Sequence, residues 1–189
     1  MLIVNDANTT SPNSEAFFMT AKDAGTYYVY VDAATATTGP SYHLSVSKFA
    51  ATSGYVNYAS AAIPVTIPTG PGVVTSTITI PDNKIIKDLA VRINIDHTFM
   101  ADLDVILTSP NGNNVHLFTD IGNATVGGTE TTMDAFFDDY NAVPPLFTTM
   151  KGMGWQTELN SFLDNFKGMN TAGTWTLTIY DDASGDGGS

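Results

Sequence analysis

The sequence predicts an all-β protein built mainly as a β-sandwich. Apolar and polar residues alternate in several short runs, which is the pattern of strands with one buried face. Turn-forming residues separate these runs, and the 189 residues include 16 glycines and 9 prolines. Only the range 158–166 has a helical spacing of apolar residues, and Gly168 is placed to end such a helix. Many short strands with turns between them are typical of a sandwich or a jelly roll.

Two alternating runs lie in the first 49 residues. Their apolar faces carry Tyr27, Val29 and Val31 in the first run and Tyr42, Leu44 and Val46 in the second. The pattern favours an antiparallel pair, which alone would be only marginally stable in water. The runs Gly25–Val31 and Gly39–Ser47 resemble the closing strands of the bacterial pre-peptidase C-terminal domain, a small β-sandwich appended to secreted peptidases. The resemblance implies that residues 1–49 form part of such a domain.

The next segment, residues 50–71, is low in charge and rich in Ala, Thr, Ser, Pro and Gly. Pro64 and Pro68 disfavour a central strand here, because proline cannot donate to a sheet ladder. Their spacing suits an extended linker or an edge strand. We therefore predict a linker over 50–71 and a second domain over 72–189.

The second domain is predicted to consist mostly of strands. The predicted strands are Thr75–Ile80, Ile85–Ile95, Leu103–Leu107, Val115–Phe118 and Gly173–Tyr180. The segment 119–140 is rich in Gly, Thr and Asp, and we expect it to be largely loop. An acidic loop joins the second and third of these strands, so carboxylates gather where a hard cation could bind.

The same part of the chain, from residue 72 to 189, is similar to the proprotein convertase P domain (P/Homo B domain). The similarity rests on Ile80–Asn83, His97-Thr98, Leu107–Gly112, Val115–Phe118, Phe136–Asp139, Leu159–Gly168 and Gly173–Asp181, in the family's order and spacing. It implies a jelly-roll β-sandwich carried C-terminal to a subtilisin-like catalytic domain. In bacterial secreted peptidases, such domains also follow metallopeptidase domains.

The sequence departs from the family pattern in three places. Asn113 follows the Ser-Pro-Asn-Gly turn, where the family usually has a small residue such as Thr. Pro144-Pro145 and Met150–Trp155 replace a more regular segment. The chain stops at Gly187–Ser189, where the family continues into a strand that carries a Trp. Either that strand was removed or the sheet edge is closed differently.

Composition excludes several classes of function. Seven Lys and Arg face 19 Asp and Glu, for a formal charge of −12, so nucleic acid and anionic membranes are poor partners. The chain has no cysteine, which excludes disulfides, cysteine-ligated zinc and thiol catalysis. It has no apolar run long enough to span a membrane, and we do not expect the residues after Met1 to act as an export signal, because they are too few and too acidic. We expect it to be a fragment of a longer chain.

No catalytic residues are predicted. His43 and His116 lie opposite the apolar faces of alternating runs, as solvated strand residues do. His97 could be a base with Ser109 as a nucleophile, but Ser109 precedes a proline in a turn and is not on a Gly-x-Ser-x-Gly elbow. The family resemblance implies that His97-Thr98 bonds within its own loop.

Calcium is the cofactor that the sequence favours. Aspartates gather in the acidic loop (Asp96, Asp102, Asp104), the middle segment (Asp134, Asp138, Asp139) and after the last strand (Asp181, Asp182, Asp186). Ca²⁺ takes six to eight oxygen ligands, which separate loops can supply, although turn aspartates also bond their own backbone. The family's recurring acidic positions place Asp102, Asp139 and Asp181 first and Asp104, Asp138 and Asp182 second as ligands.

Two functions from different classes follow. The first is a non-catalytic accessory domain of a secreted bacterial peptidase, with a subtilisin-like serine endopeptidase as the expected parent. Its partner would be the catalytic domain of the same chain, and the fragment itself would be a monomer. The second is a carbohydrate-binding or surface-adhesion module that uses exposed aromatics, with Tyr28, Tyr30, Phe136, Phe137 and Tyr140 as candidates. Buried loop anchors are the favoured interpretation of these aromatics. A peptidase domain encoded upstream would favour the first function.

Overall fold

Seven strands in two sheets form the described part of the chain. A computed structural model describes residues 25–29, 56–121, 132–141, 151–158 and 161–189. The strands, in chain order, are β1 Gly72–Ile80, β2 Val91–Asp96, β3 Leu103–Thr108, β4 Asn114–Thr119, β5 Thr132–Phe137, β6 Lys151–Trp155 and β7 Gly173–Asp181. Two short 3-10 helices, η1 Met100–Asp102 and η2 Leu163–Phe166, accompany them, and these residues include no α-helix.

The strands are arranged as a sandwich. The first sheet has the order β1-β7-β3-β4, and the second has the order β2-β5-β6. All neighbours are antiparallel except β5 and β6, which are parallel. The predicted all-β sandwich is confirmed.

The core lies between the sheets and follows the alternation in the sequence. Leu103, Val105 and Leu107 of β3 are buried, while the residues between them are half-buried. Phe118 of β4 stacks on Phe137 of β5 with ring centroids 6.0 Å apart, so an aromatic pair bridges the two sheets.

The predicted helical segment forms the short helix η2. Leu163 and Phe166 are buried at the three-residue spacing of a 3-10 helix, whereas Phe162 is exposed. Phe166 meets Trp175 of β7 edge to face, at 5.0 Å between centroids. Gly168, with φ +82°, follows the helix as expected.

Two strands were not predicted. β5 lies in the segment expected to be loop, and β6 lies in the segment that departs from the family pattern. β6 contains two glycines, and a Cβ at Gly154 would lie 2.8 Å from the Asn141 amide oxygen. The backbone of β6 lies so close to Asn141 that position 154 needs glycine. Glycine has no side chain to show the alternation of a strand, so the sequence pattern did not predict β6.

The predicted strand Ile85–Ile95 is shorter than expected, because Ile85 forms only an isolated bridge with Asn170.

The domain division stays a prediction. Residues 25–29 are exposed and have no strand structure, and the rest of the predicted N-terminal pair, including His43, lies outside the described residues. Part of the predicted linker contacts the sandwich: the Tyr58 hydroxyl donates to Asp82 at 2.6 Å, the Ser60 and Ser76 hydroxyls lie 2.9 Å apart, and Ile67 is buried.

The last residues close one side of β2. Gly188 bridges to both Ile67 and His97. The Ile67 amide donates to the Gly188 carbonyl at 2.7 Å, and Asp96 and Ser189 exchange two backbone hydrogen bonds of 2.9 and 2.8 Å. Residues 187–189 therefore pair with two earlier segments, one that contains Ile67 and one that contains Asp96 and His97.

Candidate metal centre

The six predicted ligands divide between two ends of the sandwich. β3 begins where β7 ends, with Leu103 opposite Asp181, so this end carries Asp102, Asp104, Asp181 and Asp182. β5 ends at Phe137, opposite the start of β2, so Asp138 and Asp139 lie at the other end of the second sheet. One ion cannot bind all six.

The first group, together with Asp120, Glu158 and Asp186, is called here the carboxylate cluster. Its centre is Asp102, which is half-buried next to Asp186. Burial raises the pKa of Asp102, and a hydrogen bond with Asp186 and the charges of Asp186, Asp181 and Asp182 raise it further. Two carboxylates can share such a bond only if a proton or a cation lies between them. This pair is therefore where a cation would relieve the most repulsion.

Asp186 begins the closing segment, residues 186–189, and earlier parts of the chain hold it in place. The Thr98 hydroxyl donates to Asp186 at 3.1 Å, and the Asp186 carbonyl accepts the Gly70 amide at 3.2 Å. Asp182 joins the same site through its backbone, since its amide donates to the Asp102 carbonyl at 3.1 Å. Two loops distant in sequence thus present carboxylates to one another.

The other half of the carboxylate cluster surrounds Asp104. Burial raises the pKa of Asp104, and the charges of Asp120, Asp182 and Glu158 add to the rise, while His116 opposes it. The pKa of Asp120 is also raised, by burial and then by Asp182 and Glu158. The Thr119 hydroxyl lies 2.7 Å from both Glu158 oxygens. Asp182 is thus near both halves. Neither Asp120 nor Glu158 was predicted as a ligand, because only the fold brings them close to Asp104.

Asp181 is fully buried and already has protein partners. Its carboxylate lies 3.4 Å from Nε2 of His97, whose side chain is also fully buried, and accepts the Ala183 amide at 3.3 Å. Nδ1 of His97 lies 2.8 Å from the Phe99 carbonyl oxygen, so His97 bonds within its own loop as expected. This pairing favours a structural role for Asp181.

Asp138 and Asp139 organise a turn beside η2. Asp138 is 1% exposed and accepts the Tyr140 amide at 2.8 Å. Burial raises its pKa, the Tyr140 hydrogen bond lowers it, and nearby carboxylates raise it. The two oxygens of Asp139 accept the Leu163 and Asp164 amides at 3.0 and 2.6 Å. Both oxygens of Asp139 are thus already engaged by η2.

No ready-made metal cage is present in the part of the chain that the structure describes. There, no group of three or more His, Cys, Asp or Glu side chains has the geometry to hold an ion. The donor chemistry of the carboxylate cluster nevertheless fits calcium, which binds carboxylate and carbonyl oxygens in flexible geometry. Asp102, Asp182 and Asp186 are the ligands that this arrangement favours.

The residues considered for catalysis are far apart. His97 lies at the end of the sandwich where β3 begins, and Ser109 directly follows the other end of β3. Ser109 is 3% exposed, and its hydroxyl donates to Asn111 at 2.6 Å and to the Asn113 carbonyl at 3.0 Å. Its environment is that of a turn residue.

The candidate aromatics differ in exposure. Phe137 is fully buried and Phe136 is half-buried, whereas Tyr28 and Tyr140 are 90% and 61% exposed. Tyr30 lies outside the described residues. The Lys167 amine lies 2.9 Å from the Tyr140 hydroxyl and 5.0 Å from its ring centroid.

Comparison with protein families supplies the identity of this sandwich. The sequence model of the proprotein convertase P-domain matches residues 86–189. The chain belongs to the proprotein convertase P-domain family. P domains are non-catalytic, C-terminal accessory domains of subtilisin-like proteases. The match begins just before β2, so it includes the acidic loop, β7 and the closing segment of this P domain. Comparison with curated proteins gave no match. No helix among the described residues of the P domain is long and apolar enough to cross a membrane.

Proposed function

We propose that this chain is a non-catalytic accessory domain of a secreted bacterial peptidase, with a subtilisin-like serine endopeptidase as its parent. It would pack on the catalytic domain of the same chain and stabilise it by burying apolar surface between the two. The observation that carries the proposal is the P-domain match over residues 86–189. The placement of Ser109 and His97 at different ends of β3 supports a role without catalysis.

The parent protein tests this proposal. The coding sequence upstream of residue 1 should encode a peptidase domain. The parent should lose activity on heating faster when residues 72–189 are deleted, because the folded catalytic domain loses a stabilising partner. The isolated chain should not hydrolyse casein. An upstream sequence without a peptidase, or equal inactivation rates, would favour the adhesion module instead.

We further propose that Ca²⁺ binds the carboxylate cluster through Asp102, Asp182 and Asp186. The ion would bind between Asp102 and Asp186 and offset the repulsion that raises the pKa of Asp102. Its role here is structural, since it would hold the loop after β7 against the acidic loop before β3. The site then stabilises the P domain by binding only its folded state.

Millimolar Ca²⁺ should raise the melting temperature relative to EDTA. A ligand at a hundredfold excess over its Kd contributes about 2.7 kcal/mol, which is worth several degrees for a domain of this size. Mg²⁺ should do less, because it requires tight octahedral geometry and keeps its waters. Asp102→Asn should abolish the calcium response and raise the melting temperature in EDTA, because it removes one repelling charge. The matched control is Asp134→Asn, which breaks an exposed ion pair with Arg92 and should leave the response intact.

Melting temperatures measured in EDTA at several pH values test the same carboxylate cluster independently. A carboxyl whose pKa is raised by folding binds more protons when folded, so its contribution to stability is lost as pH rises through the raised pKa. The pKa values of Asp102, Asp104 and Asp120 are all raised from 3.8. The melting temperature in EDTA should therefore rise as pH falls from about 7 toward about 5. Equal midpoints in EDTA and calcium at neutral pH would contradict the calcium site.

A further inference from the structure

No described residue pairs with the outer edge of β1. β1 is the first strand of the sheet β1-β7-β3-β4, and it is nine residues long. All nine residues pair with β7 on one side, from Gly72 opposite Asp181 to Ile80 opposite Gly173. Among the described residues, no backbone hydrogen bond joins the other side of β1 to another segment. A row of backbone donors and acceptors is thus presented along its length.

Parts of two other strand edges are covered. The edge of β4 is met by the segment after β6, where the Glu158 amide donates to the Leu117 carbonyl and the Ser161 hydroxyl accepts the His116 amide. The end of β2 pairs with Ser189. Folded proteins usually protect edges in this way, or with charge, proline or short length. Gly72–Ile80 is nine residues long and contains no charged residue and no proline, and no described residue pairs with its outer edge.

The packing around β1 is also incomplete. Val74 and Ile78 face the core, opposite Ile179 and Trp175, yet they are only half-buried while those partners are buried. Val73, on the outer face, is 55% exposed. Ser60 contacts β1 through its hydroxyl, which lies 2.9 Å from the Ser76 hydroxyl, and no backbone hydrogen bond joins residues 56–60 to β1. An added strand would bury this apolar surface.

Charge and sequence indicate what the occupant is. Two copies of a chain with net charge −12 repel one another, so they can meet only where no carboxylates face each other. β1 is such a place. If the β1 strands of two copies lie antiparallel with Ser76 opposite Ser76, all nine residues pair. Val74 of one copy then lies opposite Ile78 of the other on the inner face, and Thr75 lies opposite Thr77 on the outer face. Aliphatic pairs and threonine pairs of this kind stabilise a sheet.

We infer that two copies of the chain associate through β1, antiparallel, about a two-fold axis at Ser76. The two four-stranded sheets then form one continuous sheet across the dimer. This inference departs from the monomer expected from the sequence, because the sequence does not show which strand lies at an edge. It does not depend on the parent protein or on calcium.

Light scattering during size exclusion tests the dimer with the full 189-residue chain. The wild-type mass should rise toward twice that of the monomer as concentration increases. The double variant Thr75→Lys/Thr77→Lys should remain monomeric, because it places lysines opposite one another across the axis. Thr174→Lys adds charge to the same sheet on an inner strand and should still dimerise. A wild-type chain that stays monomeric at millimolar concentration, or a double variant that still dimerises, would overturn the inference.

Cross-linking tests the register. The chain has no cysteine, so only introduced thiols can react. Thr75→Cys and Thr77→Cys proteins, mixed under mild oxidation, should give more mixed disulfide than either protein alone. Asn114→Cys, on the exposed edge residue of β4, should stay unlinked. If the monomer itself protects the outward β1 amides from hydrogen exchange, another segment of the same chain covers the edge, and the dimer is wrong.

Discussion

Gly188→Ala should lower the stability of the P domain by about 3 kcal/mol, at the upper end of the cost of overpacking. A Cβ at Gly188 would overlap the Asp96 carbonyl oxygen and lie 2.8 Å from Cα of His97. Both atoms belong to the backbone, so no side chain can turn aside. The segment cannot shift away either, because Ile67 holds Gly188 from its other side at 2.7 Å. The substitution should therefore detach the chain end and expose Ile67 and His97, which are each 2% exposed.

Calorimetry and hydrogen exchange measure this effect. The melting temperature should fall by on the order of 10 °C, and the amides of Asp96 and Thr98 should lose protection, because both donate to the closing segment. Gly187→Ala is the matched control. Its Cβ would meet the Thr69 hydroxyl at 3.1 Å and the Ile67 carbonyl at 3.3 Å, which small adjustments can relieve. Equal stability of Gly188→Ala and wild type would show that the chain end does not pair with Asp96.

Asp139→Ala should cost about 3 kcal/mol whether calcium is present or absent. The Asp139 carboxylate accepts the backbone amides of Leu163 and Asp164, and hydrogen bonds to a charged group contribute about 1.5–3 kcal/mol each. Their loss frees the start of η2, which carries the buried residues Leu163 and Phe166. The sequence placed Asp139 among the first-choice calcium ligands, so this result would assign it a structural role.

Thermal unfolding in EDTA and in calcium separates the two roles of Asp139. Asp164→Ala is the control, because Asp164 forms an exposed ion pair with Lys167, which is worth less than about 1 kcal/mol. Asp139→Asn should lie between wild type and Asp139→Ala, since an amide keeps one acceptor oxygen. A loss of stability that occurs only in calcium would instead identify Asp139 as a metal ligand.

The sequence alone determined the class of fold and the strands with strict alternation. β3 and β7 were predicted because apolar residues alternate with polar ones along each strand. β3 buries every second residue, and β7 buries Trp175 and Ile179 with Leu177 half-buried between them. The P-domain motifs indicated the family, and the family pattern indicated the aspartates before β3 and after β7 as calcium ligands. Asp102 and Asp182 were found in this way and do lie in one cluster. Their short separation follows from a single register, Leu103 opposite Asp181.

Only the tertiary structure decided the rest, because it depends on contacts between segments far apart in the chain. β6 is a strand through its parallel pairing with β5, although its glycines carry no strand signal. Asp139 and Asp102 look alike in sequence, but one accepts the amides of η2 and the other faces a second carboxylate. The unpaired outer edge of β1 among the described residues and the requirement for glycine at position 188 also depend on contacts between distant segments. The order of strands in a sheet and the space beside a backbone atom are set by the whole fold, so a local pattern does not contain them.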